Sequence, residues 1–540
     1  MWNDLPKSHK DSYKRLILAF ASLTEMFAQK STEDETGIAP IINSKFQETA
    51  FQRAFHAYAE DIGNTSYDVS LESDSEKYLV GIKTFGIASK DQKVAQFKAK
   101  HDEWSEIIEE IKTNAAGVED KDTIDLLNED LYLKLAGQIA EIRNARIDSS
   151  RENIKGFKVA TDNDHVHSVY HVLMPSRKNE EPKIFVGETS YDKIDISNLS
   201  VIGCTGKNTP TNFLFTDGKH IYKYTTADSQ LYMRFDNPNI VCDEWNVKYA
   251  DDANALFEKI ADMVYPKIDK LKIEGQEVDF IVDGEKYDKN EIEETYCWTI
   301  WNKNKETELY SGFNSFFGTG SKLGKEQRKQ RIDKICLKYQ QQIAPDILSE
   351  LKQEMMEFLL EPASSEEDKR RKVEQREYLI ELAKKSGDAD LEQELYKVLY
   401  RPMDEMYIPI PDSLQFHKEH PDFFGAGFGR LKAGTNKLAM PKEDRIFNLV
   451  FEPSGDILPA YITQDNGKAI ESAEKQSYLG EWILRGIFQL KEYEPLTSKR
   501  LEELNINGLR FTKYKGANDV HIEFIWIDED NPPEGFISRK

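Results

Sequence analysis

Residues 67–85 read YDVSLESDSEKYLVGIKTF. Two apolar runs, Tyr67–Leu71 and Lys77–Phe85, flank the polar stretch Glu72–Ser75, which is the pattern of a β-hairpin. Side chains alternate along a strand, so Leu79, Gly81, Lys83 and Phe85 face one way. Tyr78, Val80 and Ile82 face the other way, into a core. A lysine near the centre of so apolar a strand is costly if buried without a partner. Lys83 is therefore expected to look into a polar cleft. Asp68 opens the first strand, 15 residues before it.

Outward from the hairpin, the apolar period changes. Leu16, Ile17, Phe20, Leu23 and Phe27 recur at helical spacing within residues 1–30. Phe46, Ala50, Phe51, Ala54, Phe55 and Tyr58 mark a second helix over 44–62, ended by Gly63-Asn64. Residues 91–114 and 122–147 read as helices, and 156–240 as short strands. Residues 250–272 read as helix. Residues 325–400 are almost wholly helical, split at Pro362-Ala-Ser-Ser. From Met406 the strand period returns, with one embedded helix over 473–490. The expected organisation is multidomain: an α/β domain over 1–320, a mixed sheet flanked by helices; a helical connector over 321–400; and a β-rich domain over 401–540.

The chain has 540 residues, 39% of them hydrophobic and 11% aromatic, enough for real cores. No run of about 18 apolar residues occurs, and no apolar stretch follows a basic patch at the start, so neither a membrane span nor a secretion signal is expected. Cys204, Cys242, Cys297 and Cys336 are widely spaced, which disfavours a cysteine zinc site and fits a reducing cytoplasm. The net charge of −24 argues against a nonspecific nucleic-acid coat but leaves room for a local basic cleft. Residues 401–540 carry 18 Lys and Arg against 23 Asp and Glu, and are the less acidic part. There is no Walker A loop or G-x-G-x-x-G, and the H-x-K-x4-D signature is absent.

Phosphodiester hydrolysis requires oxygen ligands for Mg²⁺ and a cation beside the attacked phosphate. The hairpin supplies such groups, and its spacing resembles the core of PD-(D/E)xK nucleases, in which a helix precedes a hairpin bearing D…(D/E)xK. The resemblance implies that Asp68 holds Mg²⁺, that the Ile82 carbonyl adds a ligand, and that Lys83 orients the water. Gly81 stands where that family usually has Asp or Glu. The resemblance leaves three sources for the missing group: Glu48 on the preceding helix, Glu76, or a water beside a single acid. Glu48 is preferred, as an auxiliary catalytic and metal-binding acid. Gln92 and Gln96 fall on the helix expected next, which in that family touches DNA or the site.

The C-terminal segment carries Ile408-Pro-Ile-Pro411, His420-Pro-Asp-Phe-Phe424, Gln464-Asp-Asn-Gly-Lys468, Leu479-Gly-Glu-Trp482 and Glu494-Pro-Leu-Thr497. With these markers it resembles the DNA-binding domain of NgoFVII-like restriction endonucleases, a relative of the plant B-three pseudobarrel. Such a barrel carries two loop arms on one rim. Gln464, Asn466, Lys468, Lys475 and Gln476 belong to one, and Arg430, Lys432, Asn436 and Lys437 to the other. Gln and Asn suit adenine; Lys and Arg suit guanine or phosphate. His417 and His420 are read as structural. His165, His167 and His171 suit a strand better than a metal site, with His167 and His171 on one face beside solvent.

Together these resemblances imply a Mg²⁺-dependent, sequence-specific type II endonuclease of prokaryotic cytoplasm acting on double-stranded DNA. It would work as a homodimer, because cutting both strands takes two sites, and beside a cognate DNA methyltransferase. The alternative is a non-cleaving DNA-binding protein with a degenerate nuclease domain, a reading that Gly81 favours.

Overall fold

The computed structural model describes residues 1–27, 38–59, 67–73, 76–100, 102–156, 166–264, 292–307, 312–314, 323–400, 404–463, 465–474 and 476–538. The chain is multidomain α/β and divides into two compact units, one of residues 1–154 and 161–289, the other of 155–160 and 290–540. No helix among the described residues is long and apolar enough to cross a membrane.

The first unit begins with helices α1 (Lys7–Ala21), α2 (Thr24–Phe27) and α3 (Ser44–Phe55). Asn43 caps α3 by accepting the Phe46 N–H at 2.9 Å, and His56, in the left-handed region at φ 56°, ends it. Strands β1 (Tyr58–Ala59), β2 (Val69–Ser73), β3 (Glu76–Thr84) and β4 (Asp91–Gln96) follow, then α4 (Ser105–Ala115) and α5 (Lys121–Lys155). The remaining strands are β5 (Val166–Pro175), β6 (Lys183–Ser190), β7 (Ser200–Cys204), β8 (Phe213–Thr216), β9 (Ile221–Thr225), β10 (Gln230–Arg234) and β11 (Val241–Asn246), followed by helix α6 (Ala253–Val264).

These strands form two sheets. The first has the order β1-β2-β3-β5-β6-β11, with β3 and β5 parallel and the other pairs antiparallel. The connection from β3 to β5 passes through α4 and α5, as a parallel pair requires. The second sheet, β4-β10-β9-β8-β7, is antiparallel throughout. The hairpin alternation sorts its side chains between two cores. Val69, Leu71, Tyr78, Val80 and Ile82 pack with Tyr13, Ile17, Phe51 and Phe55 of α1 and α3. Leu79 and Phe85 join the opposite core, made with α4, α5 and the inner face of the second sheet. Each fully buried side chain of this size contributes about 1.5–3 kcal/mol.

The expected helix over 91–114 is corrected. Residues 91–96 form β4, paired with β10 in the register Tyr232 to Lys93, and the helix starts only at Ser105. DQKVAQ has no apolar stripe to bury as a helix, and the free edge of β10 captures it. Gln92 and Gln96 therefore lie on a strand. His171 is corrected too. It shares a sheet face with His167, but it is fully buried, stacked on Trp2 at 5.3 Å and 3.2 Å from the Tyr13 hydroxyl. His165 lies outside the described residues.

The second unit opens with β12 (Ile292–Thr299), which the sequence reading groups with the front domain. It pairs antiparallel with a strand more than 200 residues later. Four helices follow: α7 (Lys325–Tyr339), α8 (Pro345–Leu360), α9 (Glu366–Ser386) and α10 (Ala389–Leu399). Ile332, Tyr339, Leu351, Phe358, Leu379 and Leu395 give them their own core. The break between α8 and α9 falls where Ser365 caps the Asp368 N–H at 3.0 Å while Asp368 accepts the Ser365 N–H, a reciprocal capping box. The rest comprises β13 (Ile408–Pro409), α11 (Ser413–Glu419), β14 (Ile446–Phe451), β15 (Asp456–Thr463), β16 (Ala469–Ser472), α12 (Gln476–Gly480), α13 (Ser498–Leu504), β17 (Gly508–Tyr514) and β18 (Val520–Ile525). Their sheet has the order β12-β17-β18-β14-β15-β16-β13, with only β14 and β18 parallel. Among the described residues no pairing of β12 with β13 closes it into a barrel.

Candidate functional site

The antiparallel register that pairs Val69 with Val80 places Asp68 across from Gly81, at the open end of the hairpin. The Asp68 N–H donates to the Val80 carbonyl at 3.0 Å. Its carboxylate Oδ2 accepts the Ile82 N–H at 2.5 Å. Lys83 Nζ lies 3.9 Å from the same oxygen, and the two side chains are 29% and 24% exposed. The residues expected to face each other across the hairpin do so, at the rim of the sheet. Among the described residues, Asp68 Oδ1 accepts no hydrogen bond. A strand residue directs its N–H and C=O to the same side. The Ile82 carbonyl therefore points with its N–H toward β2, beyond the Val69–Val80 pair where that ladder stops.

Gly81 is explained by its neighbours. A Cβ there would meet two ring carbons of Tyr170 at 2.9 Å and one of Tyr191 at 3.2 Å. Tyr170 is the position of β5 registered against Gly81, and its ring stacks on Tyr191 with centroids 4.0 Å apart. Burial raises the Tyr170 phenol well above its ordinary value, so it stays neutral. Arg143 of α5, also buried, sits over the Tyr191 ring at 4.9 Å. The space in which a second carboxylate would stand is filled with aromatic carbon.

Neither alternative acid reaches the pair by any described contact. Glu48 is on α3, which covers the Ile82 face of the sheet, and its partner is Lys45 at 2.8 Å. The helix instead reaches β3 through buried Gln47, whose side-chain carbonyl accepts the Thr84 hydroxyl. Glu76 begins β3 and bonds His167 at 2.6 Å. Seven residues of strand separate it from Lys83, roughly 23 Å. The oxygens that the described residues are seen to bring to the rim are one carboxylate and one backbone carbonyl. Mg²⁺ characteristically keeps several waters and takes one or two carboxylates plus substrate phosphate, so the residues present fit it in that minimal form.

In the second unit, the two arms expected from sequence are adjacent. Residues 430–439 fold back on themselves through a Leu431–Leu438 bridge and a 2.8 Å bond from the Lys432 N–H to the Lys437 carbonyl. The Leu438 N–H then donates to the Asp465 carbonyl at 2.7 Å, and Lys437 Nζ reaches Asp465 Oδ2 at 2.7 Å. Arg430, Lys432, Asn436 and Lys468 are exposed around this junction, and Asn466 is half-buried. Gly467 is required here. Its φ is +67°, and a Cβ would meet His417 Nε2 at 2.3 Å. His417, on α11 and buried, bonds the Gly467 carbonyl at 2.8 Å, and burial lowers its pKa. Gln464 and Lys475 lie outside the described residues, as does the side chain of Gln476.

Sequence reasoning missed Tyr170, Gln47 and Asp465. The one available signal was the bare α-carbon of Gly81 inside an apolar strand, which marks a close approach by a neighbour. Comparison of the chain with family models, with curated proteins and with solved structures finds no match.

Proposed function

We propose that the chain is a Mg²⁺-dependent, sequence-specific endonuclease acting on double-stranded DNA, with the hairpin unit cutting and the pseudobarrel-like C-terminal unit reading. The observation that carries this reading is the Asp68–Lys83 pair at one rim of a hairpin that is preceded by a helix and joined through helices to a parallel strand. Asp68 and the Ile82 carbonyl would hold the ion. When bound, it supplies charge neutralisation at the phosphate and a more acidic water. The Lys83 ammonium steers that water and offsets negative charge developing on the attacked phosphate. The reading extends to a homodimer and to a partner methyltransferase that protects host DNA.

A second reading is favoured by one observation, the Tyr170 ring packed against Gly81. With a single carboxylate, the front unit would be a degenerate nuclease and the protein a DNA-binding one. Digestion of methylated and unmethylated plasmid, with and without Mg²⁺, with end-mapping of products, separates the two. Mg²⁺-dependent cuts that vanish in Lys83→Ala support the enzyme. Specific binding without cleavage in any divalent metal supports the second reading.

A further inference from the structure

The junction of the two arms holds an exposed ion pair in an otherwise basic setting. Lys437 and Asp465 are 61% and 76% exposed, so both charged tips stand in solvent. The loops that carry them are not free to wander. They are tied by the Leu438–Asp465 and Lys432–Lys437 backbone bonds and by buried His417 beneath Gly467. The hydrogen bond from Lys437 holds the Asp465 carboxyl below the ordinary carboxylate range, with Lys432 and Arg445 adding their fields. A carboxylate in the middle of a cationic rim weakens attraction for a polyanion. It becomes useful where it accepts a hydrogen bond that phosphate cannot donate.

Resting on the proposed reading of this unit as a DNA reader, we infer that Lys437 and Asp465 act together as one recognition element for a G·C base pair in the major groove. Guanine offers O6 and N7 as acceptors there, and its cytosine offers the N4 amino group as a donor. The pair presents the complement side by side: an ammonium donor and a carboxylate acceptor 2.7 Å apart. An A·T pair offers an acceptor, a donor and a second acceptor, with the thymine methyl at the edge, so its two acceptors are split by the adenine amino group. Two neighbouring acceptors for the lysine occur only on guanine. The ion pair pre-orders both side chains before DNA arrives, which lowers the cost of immobilising them.

The test is selection from a pool of randomised duplexes with the full-length chain, without Mg²⁺ so that the pool survives. Wild type, Asp465→Asn and Lys437→Met are run in parallel, each checked for an unchanged melting temperature. The expected wild-type motif contains an invariant G·C position. Both variants should relax that one position by about tenfold or more, the scale of losing a good base contact, while leaving the others. Asp465→Asn should drift toward A·T, because a carboxamide both donates and accepts. Variants that recover the wild-type motif unchanged, or a wild-type motif without an invariant G·C, would overturn the inference and leave the DNA-reading role standing. A wild-type pool that enriches no motif overturns both.

Discussion

The ring of Tyr170 occupies the place where a side chain on Gly81 would begin, its carbons 2.9 Å from the ideal Cβ position. Gly81→Asp would force this contact open and bury a charge against aromatic carbon. Overpacking alone costs about 1–3 kcal/mol. Urea denaturation of Gly81→Asp should show a loss at or above that range. Combining it with Tyr170→Ala should cost less than the sum of the two single changes, because the residues touch.

Lys83 and Asp68 form a partly exposed pair at 3.9 Å. Such pairs contribute only about 0–1 kcal/mol to stability. Lys83→Ala should therefore leave the urea midpoint almost unmoved and lower Mg²⁺-dependent plasmid cleavage by about 10²–10³-fold, the scale of removing one preorganised electrostatic group. A large stability loss with unchanged cleavage would assign the lysine to the scaffold.

Asp68 and Glu48 are separable by the same assay. Asp68 contacts Ile82 and Lys83, whereas Glu48 contacts Lys45. Asp68→Asn should abolish detectable cutting, and Glu48→Ala should stay within a few-fold of wild type. Equal loss in both would restore Glu48 to the site.

His171 is held neutral by burial, its pKa pushed down from 6.5 to about 3. Between these values the unfolded chain takes up a proton that the folded chain refuses. Stability therefore rises with pH across that window and is lost as pH falls through it, by at most about 1.4 kcal/mol per unit. His171→Leu should flatten the curve of unfolding free energy between pH 6.5 and the acid limit. Lowered His417 acts in the same direction and remains in the variant.

What could be read in advance was local. The hairpin announced itself because its two faces enter different cores, so alternation had to be kept in the residues themselves. The break before α9 was legible for a similar reason, since Ser365 caps within three residues. The composition of the two arms pointed to a polar rim, while their junction at Lys437 and Asp465 depends on a contact between residues 28 apart. Asp91–Gln96 and Ile292–Thr299 were not legible as strands of their sheets. Each takes its form from a remote partner, β10 in one case and β17 in the other. Glu48 looked suitable by position on the preceding helix, and its described contact is with Lys45 on the same helix.

The edge strand β12 has a bearing on how the molecule is made. During synthesis Ile292–Thr299 leaves the ribosome long before Gly508–Tyr514, so it must wait through helices α7 to α13 for its sheet partner. Expressing residues 401–540 alone would omit it and strip β17 of one neighbour, inviting sticky oligomers. A fragment meant to stand by itself should begin near residue 290.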